Sequence, residues 1–369
     1  MTARPVTADD RVRAVLHPLD GIGLDELVDS AALLTRIDRK YVLSLDDALA
    51  VLDALARTRT TRVLEIDGAR SAAYESVYFD TPDLASFRLT ATRRRHRFKV
   101  RTRTYLDSGQ SFLEVKTRAA RGTTLKQRVP HLDGPTTLGP GRTFVATSLA
   151  AEGVDGARHL ALAPGLVSRY RRTTLLLPGT RGASRATVDT HLTWRLDPTT
   201  GPTPRSADVE PRTREVEPRS AHVEPWSAQI EPWSAQIEPW SDQVEPRYGE
   251  REARPRRRPD ADPVENHLAG LEVPRVVIVE TKGGSTPSDL DRLLWRHGHR
   301  PERISKYGTG MALLRPDLPD GPWRRVIRRH LTDLSPTPSP SGADATLAPA
   351  ATDPTNPARA VGHLDDRSI

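Results

Sequence analysis

The sequence predicts an α+β protein, a closed antiparallel β-barrel with flanking helices. Three observations carry that expectation. About eight segments alternate charged and apolar residues with period two, the spacing that gives a strand two different faces. The charged faces recur from strand to strand, and a closed barrel can turn such faces inward to line a lumen. Stretches of helical spacing interrupt the strands and can cover the apolar faces left outside.

The elements follow in order. Residues 24–34 read as a short helix leading into a strand at 36–43. On that strand Arg36, Asp38 and Lys40 share one face, with Ile37, Tyr41 and Leu43 on the other. Ser44-Leu-Asp-Asp47 resembles a helix start with a capping acid, and Leu45, Leu49, Leu52 and Leu55 continue at helical spacing. Strand-like segments at 62–66 and 76–80 precede the most charged stretch of the chain. There Arg93, Arg95, Arg97, Lys99, Arg101, Arg103 and Tyr105 fall on one face of a strand read over 93–105. His96, Phe98, Val100, Thr102 and Leu106 fall on the other. Further strands are read at 111–117, 125–129, 166–177, 186–196 and 276–282. Glu114, Lys116 and Arg118 share a face opposite Leu113, Val115 and Thr117, and Lys126 lies with Arg128. Arg185, Thr187 and Asp189 share a face opposite Val188 and Leu192. Glu280 lies with Lys282, opposite Val277 and Val279. Helices are expected near 143–152 and 288–297.

Charge and composition narrow the partners. The 369 residues carry a net charge of +7, with twelve Lys and Arg against two Asp and Glu from Arg93 to Arg128. Phosphate-rich ligands, nucleic acid and anionic membranes are the classes such a balance attracts. Nucleic acid ranks last, because stacking aromatics interleaved with cations are needed. Aromatics are 5% of the chain, and only Phe98 and Tyr105 lie in the basic strand. Gly283-Gly284 follows a strand but lacks the Lys-Ser/Thr of a phosphate-binding loop. His96, His131 and His191 read as structural histidines. The chain has no cysteine, which removes disulfides and thiolate metal sites. No long apolar run occurs, so no membrane span and a cytoplasmic location are expected.

The hydrophobic fraction is 36% and prolines number 32, so part of the chain is expected not to fold. From about 197 to 262 a seven-residue unit recurs, VEPRTRE, VEPRSAH, VEPWSAQ, IEPWSAQ, IEPWSDQ, VEPRYGE. A proline every seventh residue excludes a continuous helix. This segment reads as a disordered insertion between strands, or else as a docking spacer built on Trp226, Trp233 and Trp240. The expected organisation is an N-terminal arm at 1–23, a domain at 24–332 interrupted by 197–262, and a disordered tail at 333–369.

Eight segments in order give the chain a family resemblance. They are Arg36-Ile-Asp-Arg-Lys-Tyr41, Tyr78-Phe-Asp-Thr81, Arg101-Thr-Arg-Thr-Tyr105, Phe112-Leu-Glu-Val-Lys116, Lys126-Gln-Arg128, Arg169-Tyr-Arg-Arg172, Val279-Glu-Thr-Lys282 and Arg303-Ile-Ser-Lys-Tyr307. Together they resemble the VTC domain, the polyphosphate polymerase branch of the CYTH-like triphosphate tunnel metalloenzymes. The resemblance covers about 25–315, apart from the repeats. It implies a β-stranded tunnel and a phosphotransferase that uses ATP and a divalent metal, Mn²⁺ or Mg²⁺, to extend polyphosphate. Carried over by motif, Lys40, Arg101, Arg103, Lys116, Lys126, Arg172 and Lys306 bind the reacting phosphates. Tyr170, Ser305, Arg128, Arg185, Arg303 and Lys282 are their substrate-binding companions, and Glu280 is the metal ligand. The alternatives are an inorganic triphosphatase or polyphosphate hydrolase, and a non-catalytic polyphosphate or inositol-phosphate binding module. The first strand has Ile37-Asp38-Arg39-Lys40 where the wider superfamily has paired glutamates, a departure from the two-metal hydrolase pattern. Export of a product chain would require another protein.

Overall fold

The structure, a computed structural model, describes residues 5–30, 37–118, 123–154, 156–179, 182–197, 236–239, 270–332 and 334–337. Nearly all of the repeat segment, its three tryptophans and the C-terminal tail beyond residue 337 lie outside the described residues. The first elements are α1 (Ala8–Leu16), β1 (Gly21–Ile22), α2 (Leu24–Ser30), β2 (Ile37–Ser44), α3 (Leu45–Ala56), β3 (Arg62–Leu64) and β4 (Ala72–Asp80). Then come α4 (Ala85–Ala91), β5 (Phe98–Tyr105), β6 (Ser111–Arg118), β7 (Thr123–Pro130), α5 (Gly141–Ala151), β8 (Ala163–Leu177) and β9 (Ser184–Leu196). The last are β10 (Gln236–Pro239), β11 (Gly270–Val273), β12 (Val276–Gly283), α6 (Asp289–Arg296), α7 (Lys306–Leu314), α8 (Arg324–His330) and β13 (Ser335–Thr337).

Antiparallel pairing runs β7-β6-β5-β4-β8-β9-β12-β2. β10 extends the β7 edge, β11 and β13 continue from β9, and the short β3 and β1 attach at β8. The barrel expected from sequence is not closed, because no pairing among the described residues joins the β7–β10 edge to β2. One reason is local. The outer edge of β2 is partly used by the segment leading into α7, whose Glu302 N–H donates to the Lys40 carbonyl at 2.7 Å. The sheet is nevertheless strongly curved. Lys40 on β2 acts electrostatically on Lys99 of β5, although β4, β8, β9 and β12 separate their strands.

Helices cover the convex face as the apolar alternation requires. α1, α3 and α6 bury Val12, Val51, Leu55 and Leu290 against Tyr41, Leu43, Val188, Val277 and Val279. α5 buries Val145 and Leu149 against Val100, Leu113 and Val115. The Ser44 hydroxyl accepts from Asp47 N–H at 3.1 Å and starts α3, as its sequence implied. α6 opens on a full capping box between Ser288 and Asp291. The inner carboxylate oxygen of Asp291 then accepts from the Tyr41 and Thr281 hydroxyls, each at 2.7 Å, and ties α6 to β2 and β12.

Three departures from the sequence reading have physical causes. β5 begins at Phe98, so Arg93–Arg95 form an exposed turn and do not extend the cationic row. The preceding residues are held instead as α4, whose first turn is capped by buried Asp80 through Ser86 N–H (2.8 Å) and Phe87 N–H (2.9 Å). Arg93 takes a positive φ of 55°, and Arg97 folds back to donate to the Arg94 carbonyl at 2.9 Å. The second departure is a β-bulge. Arg169 pairs Thr193 while Arg171 pairs Thr190, so β9 holds one extra residue, with His191 at φ 51°. Leu192 therefore turns to the concave side with Trp194, and not away from Asp189.

The third is α7, which lies across the apolar end of the concave face. Its Tyr307 and Met311 pack with Val42, Tyr78, Leu192, Trp194 and Ile278. Two glycines allow this approach. A Cβ at Gly308 would enter the Trp323 ring, and one at Gly310 would lie 2.6 Å from Trp194 Cδ1. Gly310→Ala is therefore expected to destabilise the protein by about 1–3 kcal/mol through overpacking, despite alanine's better helix propensity. A urea midpoint equal to that of the wild type would contradict this.

Candidate functional site

Register places one set of side chains on the concave face beyond α7. Lys99, Arg101 and Arg103 of β5 stand opposite Lys116, Glu114 and Phe112 of β6. Glu114 and Lys116 stand opposite Arg128 and Lys126 of β7. Arg172 of β8 faces Asp189 of β9, Glu280 of β12 faces Lys40 of β2, and Lys282 faces both Asp38 and Arg185. Ser305 caps α7 and Lys306 is its first residue, both at the edge of this chamber. Thus Lys40, Arg101, Arg103, Lys116, Lys126, Arg172, Lys306, Tyr170, Ser305, Lys282 and Glu280 are brought to one face, with Arg128 and Arg185 at register positions on it. Arg303 is exposed in the loop ahead of α7.

Two buried acids and one half-buried acid organise the cations into groups. Glu114, 3% exposed, accepts from Arg101 Nε at 2.7 Å and Lys126 Nζ at 2.9 Å, with Arg103 3.8 Å away. Burial alone would raise its pKa. The three cations outweigh that and hold the carboxyl well below the usual carboxylate range. Asp189, 1% exposed, binds Arg172 through both oxygens at 2.6 and 2.8 Å and Lys306 at 2.5 Å. Here too burial opposes the charge, yet Arg172 and Lys306 bring Asp189 down to about 2. Glu280 accepts from Lys40 at 2.6 Å and Lys282 at 3.1 Å. Lys282 also reaches Asp38 at 3.1 Å. Burial disfavours the Glu280 carboxylate, and Lys282 and Lys40 overcome it, holding its pKa well below the ordinary value.

The shared acids leave two lysines poorly compensated. Lys126 is driven to about 7 by burial and by Arg103 and Arg101, because Glu114 serves those guanidiniums as well. Lys99 is also driven to about 7, by burial first and then by Lys116, Arg101, Lys40 and Arg97. Its ammonium donates to the Ser305 hydroxyl at 2.8 Å.

Aromatic rings floor the cationic groups. Tyr74 and Tyr170 stack at 5.3 Å with planes 2° apart. Lys306 Nζ lies 4.4 Å from the Tyr170 ring centre, and the Arg172 guanidinium is 5.2 Å from it. Arg101 donates to the Tyr78 hydroxyl at 3.2 Å. Several buried polar atoms on this face have no hydrogen-bond partner among the described residues, namely Ser76 Oγ, Arg103 Nε, Ser168 Oγ, Tyr170 OH and Thr187 Oγ1. Buried donors of this kind ordinarily find partners, and an anionic ligand with many acceptor oxygens would supply them.

Glu114, Asp189, Lys99 and Tyr74 received no binding role from the motifs, although Glu114 lies within one of them. The first three stand on the charged faces read from alternation. Their roles depend on which strands adjoin, and alternation is silent on that.

Among the described residues no group of three or more His, Cys, Asp or Glu side chains is arranged to hold a metal ion. A divalent ion that kept phosphate oxygens as most of its ligands would have Glu280 as a protein carboxylate, with Asp38 close by through Lys282.

The VTC domain matches residues 35–315, three quarters of the chain. The chain belongs to the VTC domain family. No curated protein matches it. Among solved structures, this VTC domain protein is similar to PH1819 of Pyrococcus horikoshii, with 10% identity over 74% of this chain and 96% of that one, at a TM-score of 0.31. It is also similar to HpAC1 of Hippeastrum, an adenylyl cyclase candidate described as having a dominant triphosphatase activity. The identity is 10% over 75% of this chain and 94% of that one, at a TM-score of 0.30. A conserved Pyrococcus furiosus protein shares 15% identity over 42% of this chain and 70% of its own, at 0.25. No helix among the described residues is long and apolar enough to cross a membrane.

Proposed function

We propose that this VTC domain protein is a polyphosphate polymerase, transferring the γ-phosphoryl group of ATP onto a linear phosphate chain held in the cationic chamber. The observation that carries the reading is convergence. Cations from β2, β5, β6, β7, β8, β12 and α7 share one concave face, among buried donors that lack partners among the described residues. A linear polyanion supplies charge and acceptor oxygens along such a face. A flat nucleic-acid base would meet Tyr74 and Tyr170 already stacked on each other.

Phosphoryl transfer asks little covalent chemistry of a protein; it asks for alignment and charge neutralisation. A terminal phosphate oxygen of the chain forms the new bond to the γ-phosphorus as the bond from that phosphorus to the β–γ bridging oxygen breaks. ADP leaves with the electron pair. Arg101, Arg103 and Arg172 offer two-pronged contacts to phosphate oxygens, while Lys40, Lys116, Lys126 and Lys306 act as point charges. Glu114 and Asp189 fix the guanidiniums before the ligand arrives, which lowers the ordering cost of binding. A divalent ion held by Glu280 would supply charge that neutralises phosphate oxygens of the reacting groups.

Purified protein with ATP and Mn²⁺ is expected to yield ADP and a ladder of long phosphate chains on a gel. Free phosphate without a ladder would replace the polymerase by a hydrolase. Tight tripolyphosphate binding with neither product would make the protein a binding module.

A further inference from the structure

Lys99 differs from its neighbours in the chamber. Lys40, Arg101, Arg103, Lys126, Arg172, Lys282 and Lys306 each reach a carboxylate. No ion pair of Lys99 occurs among the described residues. Among the described residues its ammonium donates across the chamber to the neutral Ser305 hydroxyl, which also accepts from Gly308 N–H at 3.1 Å and so caps α7. Around its ammonium stand Arg97 just before β5, Arg101 on β5, Lys116 directly opposite on β6, and Lys40 on β2. A half-buried ammonium surrounded by cations is unfavourable in the protein alone. The same surroundings are complementary to a phosphoryl group, whose oxygens can accept from Lys99, Lys116 and Ser305 together.

We propose that Lys99 is a further phosphate-binding residue, which with Ser305 and Lys116 forms a subsite beside the N-terminus of α7. The proposal rests on the phosphate-chamber reading above and adds to it a residue and a mode of action. A purely structural Lys99 would only tether Ser305. A phosphate-binding Lys99 is charged by its ligand: because burial and its cationic neighbours bring it to about 7, a bound polyanion draws a proton onto it near neutral pH. Binding then strengthens as pH falls from about 8 towards 7.

Titration calorimetry with inorganic tripolyphosphate, in two buffers of different ionisation enthalpy, measures both affinity and proton uptake. Lys99→Met, of similar volume, is expected to weaken binding on the order of tenfold or more. Lys99→Arg, always charged, is expected to bind within about threefold of wild type while taking up fewer protons. Protonation of the ligand and of Lys126, which also sits near 7, cancels between wild type and Lys99→Arg. Equal proton uptake in wild type and Lys99→Arg overturns the proposal, as does unchanged affinity in a folded Lys99→Met. Should Lys99→Met fail to fold, the Arg variant decides alone. Arg103→Ala separates the two levels of inference. If it too binds tripolyphosphate as tightly as wild type, the chamber reading fails; if it weakens binding while the Lys99 variants do not, only the role of Lys99 fails.

Discussion

Glu114→Ala is expected to lower the unfolding free energy by about 3–5 kcal/mol, the scale found when one partner of a buried ion group is removed. Glu114 is 3% exposed and is the carboxylate that Arg101, Arg103 and Lys126 share. Its loss leaves three cations crowded on adjacent strands with no counter-charge. Inorganic tripolyphosphate should restore part of that stability, because an anion binding only the folded chain shifts the equilibrium by mass action. Urea unfolding of wild type, Glu114→Ala and the isosteric Glu114→Gln, with and without tripolyphosphate, checks this. A variant within about 0.5 kcal/mol of wild type would show that the cations find other compensation. The pH dependence has a definite sign. Glu114 is depressed in the folded state, so its contribution is complete above the unfolded glutamate value of about 4.3 and is lost as pH falls through the folded one. Lys99 and Lys126 act in a different window. Their folded values near 7 lie below the unfolded lysine value of about 10.4, so the ligand-free protein gains stability as pH rises from about 7 to 10.

The acids and cations in that network show what sequence conveys and what it withholds. Alternation with period two identified the charged faces of β2, β5, β6, β7 and β12 correctly, since Glu114 and Lys116 on one strand must point the same way. It did not convey that Glu114 meets Arg101 from β5 and Lys126 from β7. That is a matter of strand order and register, which depend on contacts distant in sequence. Parity failed only where the backbone breaks its own rule. The extra residue at His191 inverts the faces beyond it, and no side-chain pattern announces a bulge. α4 and α7 escaped for a related reason. α4 has seven residues, and its start is fixed by Asp80, which precedes it. α7 reads Lys-Tyr-Gly-Thr-Gly-Met, and its glycines weaken the helical signal because Trp323 and Trp194 press against them. Arg93–Arg95 erred in the opposite direction. Alternating charge is compatible with a strand, but a neighbouring helix and a left-handed Arg93 ended the alternation's meaning at Phe98.

Glu280→Gln is expected to abolish transfer from ATP, by two orders of magnitude or more, while tripolyphosphate binding without metal stays equal or tightens. The two halves of this expectation come from one geometry. Glu280 is held between Lys40 at 2.6 Å and Lys282 at 3.1 Å, and its charge is maintained against burial by those ammoniums. A carboxylate among phosphate-binding cations repels the ligand unless a positive ion lies between them. Glutamine keeps the volume and removes the charge. Lys40 then loses its Glu280 partner and Lys282 keeps Asp38 alone, so a bare polyanion meets more positive charge than before. A divalent ion, by contrast, loses the protein carboxylate that would anchor it beside the reacting phosphates, and with it the neutralisation that the transition state requires. Calorimetry with tripolyphosphate in chelator, paired with a gel assay of chain synthesis in Mn²⁺, reads both halves separately. Loss of both binding and synthesis would mark Glu280 as a structural clamp for Lys40 and Lys282. Retention of both would remove it from the metal site altogether and transfer attention to Asp38, which shares the Lys282 ammonium at 3.1 Å.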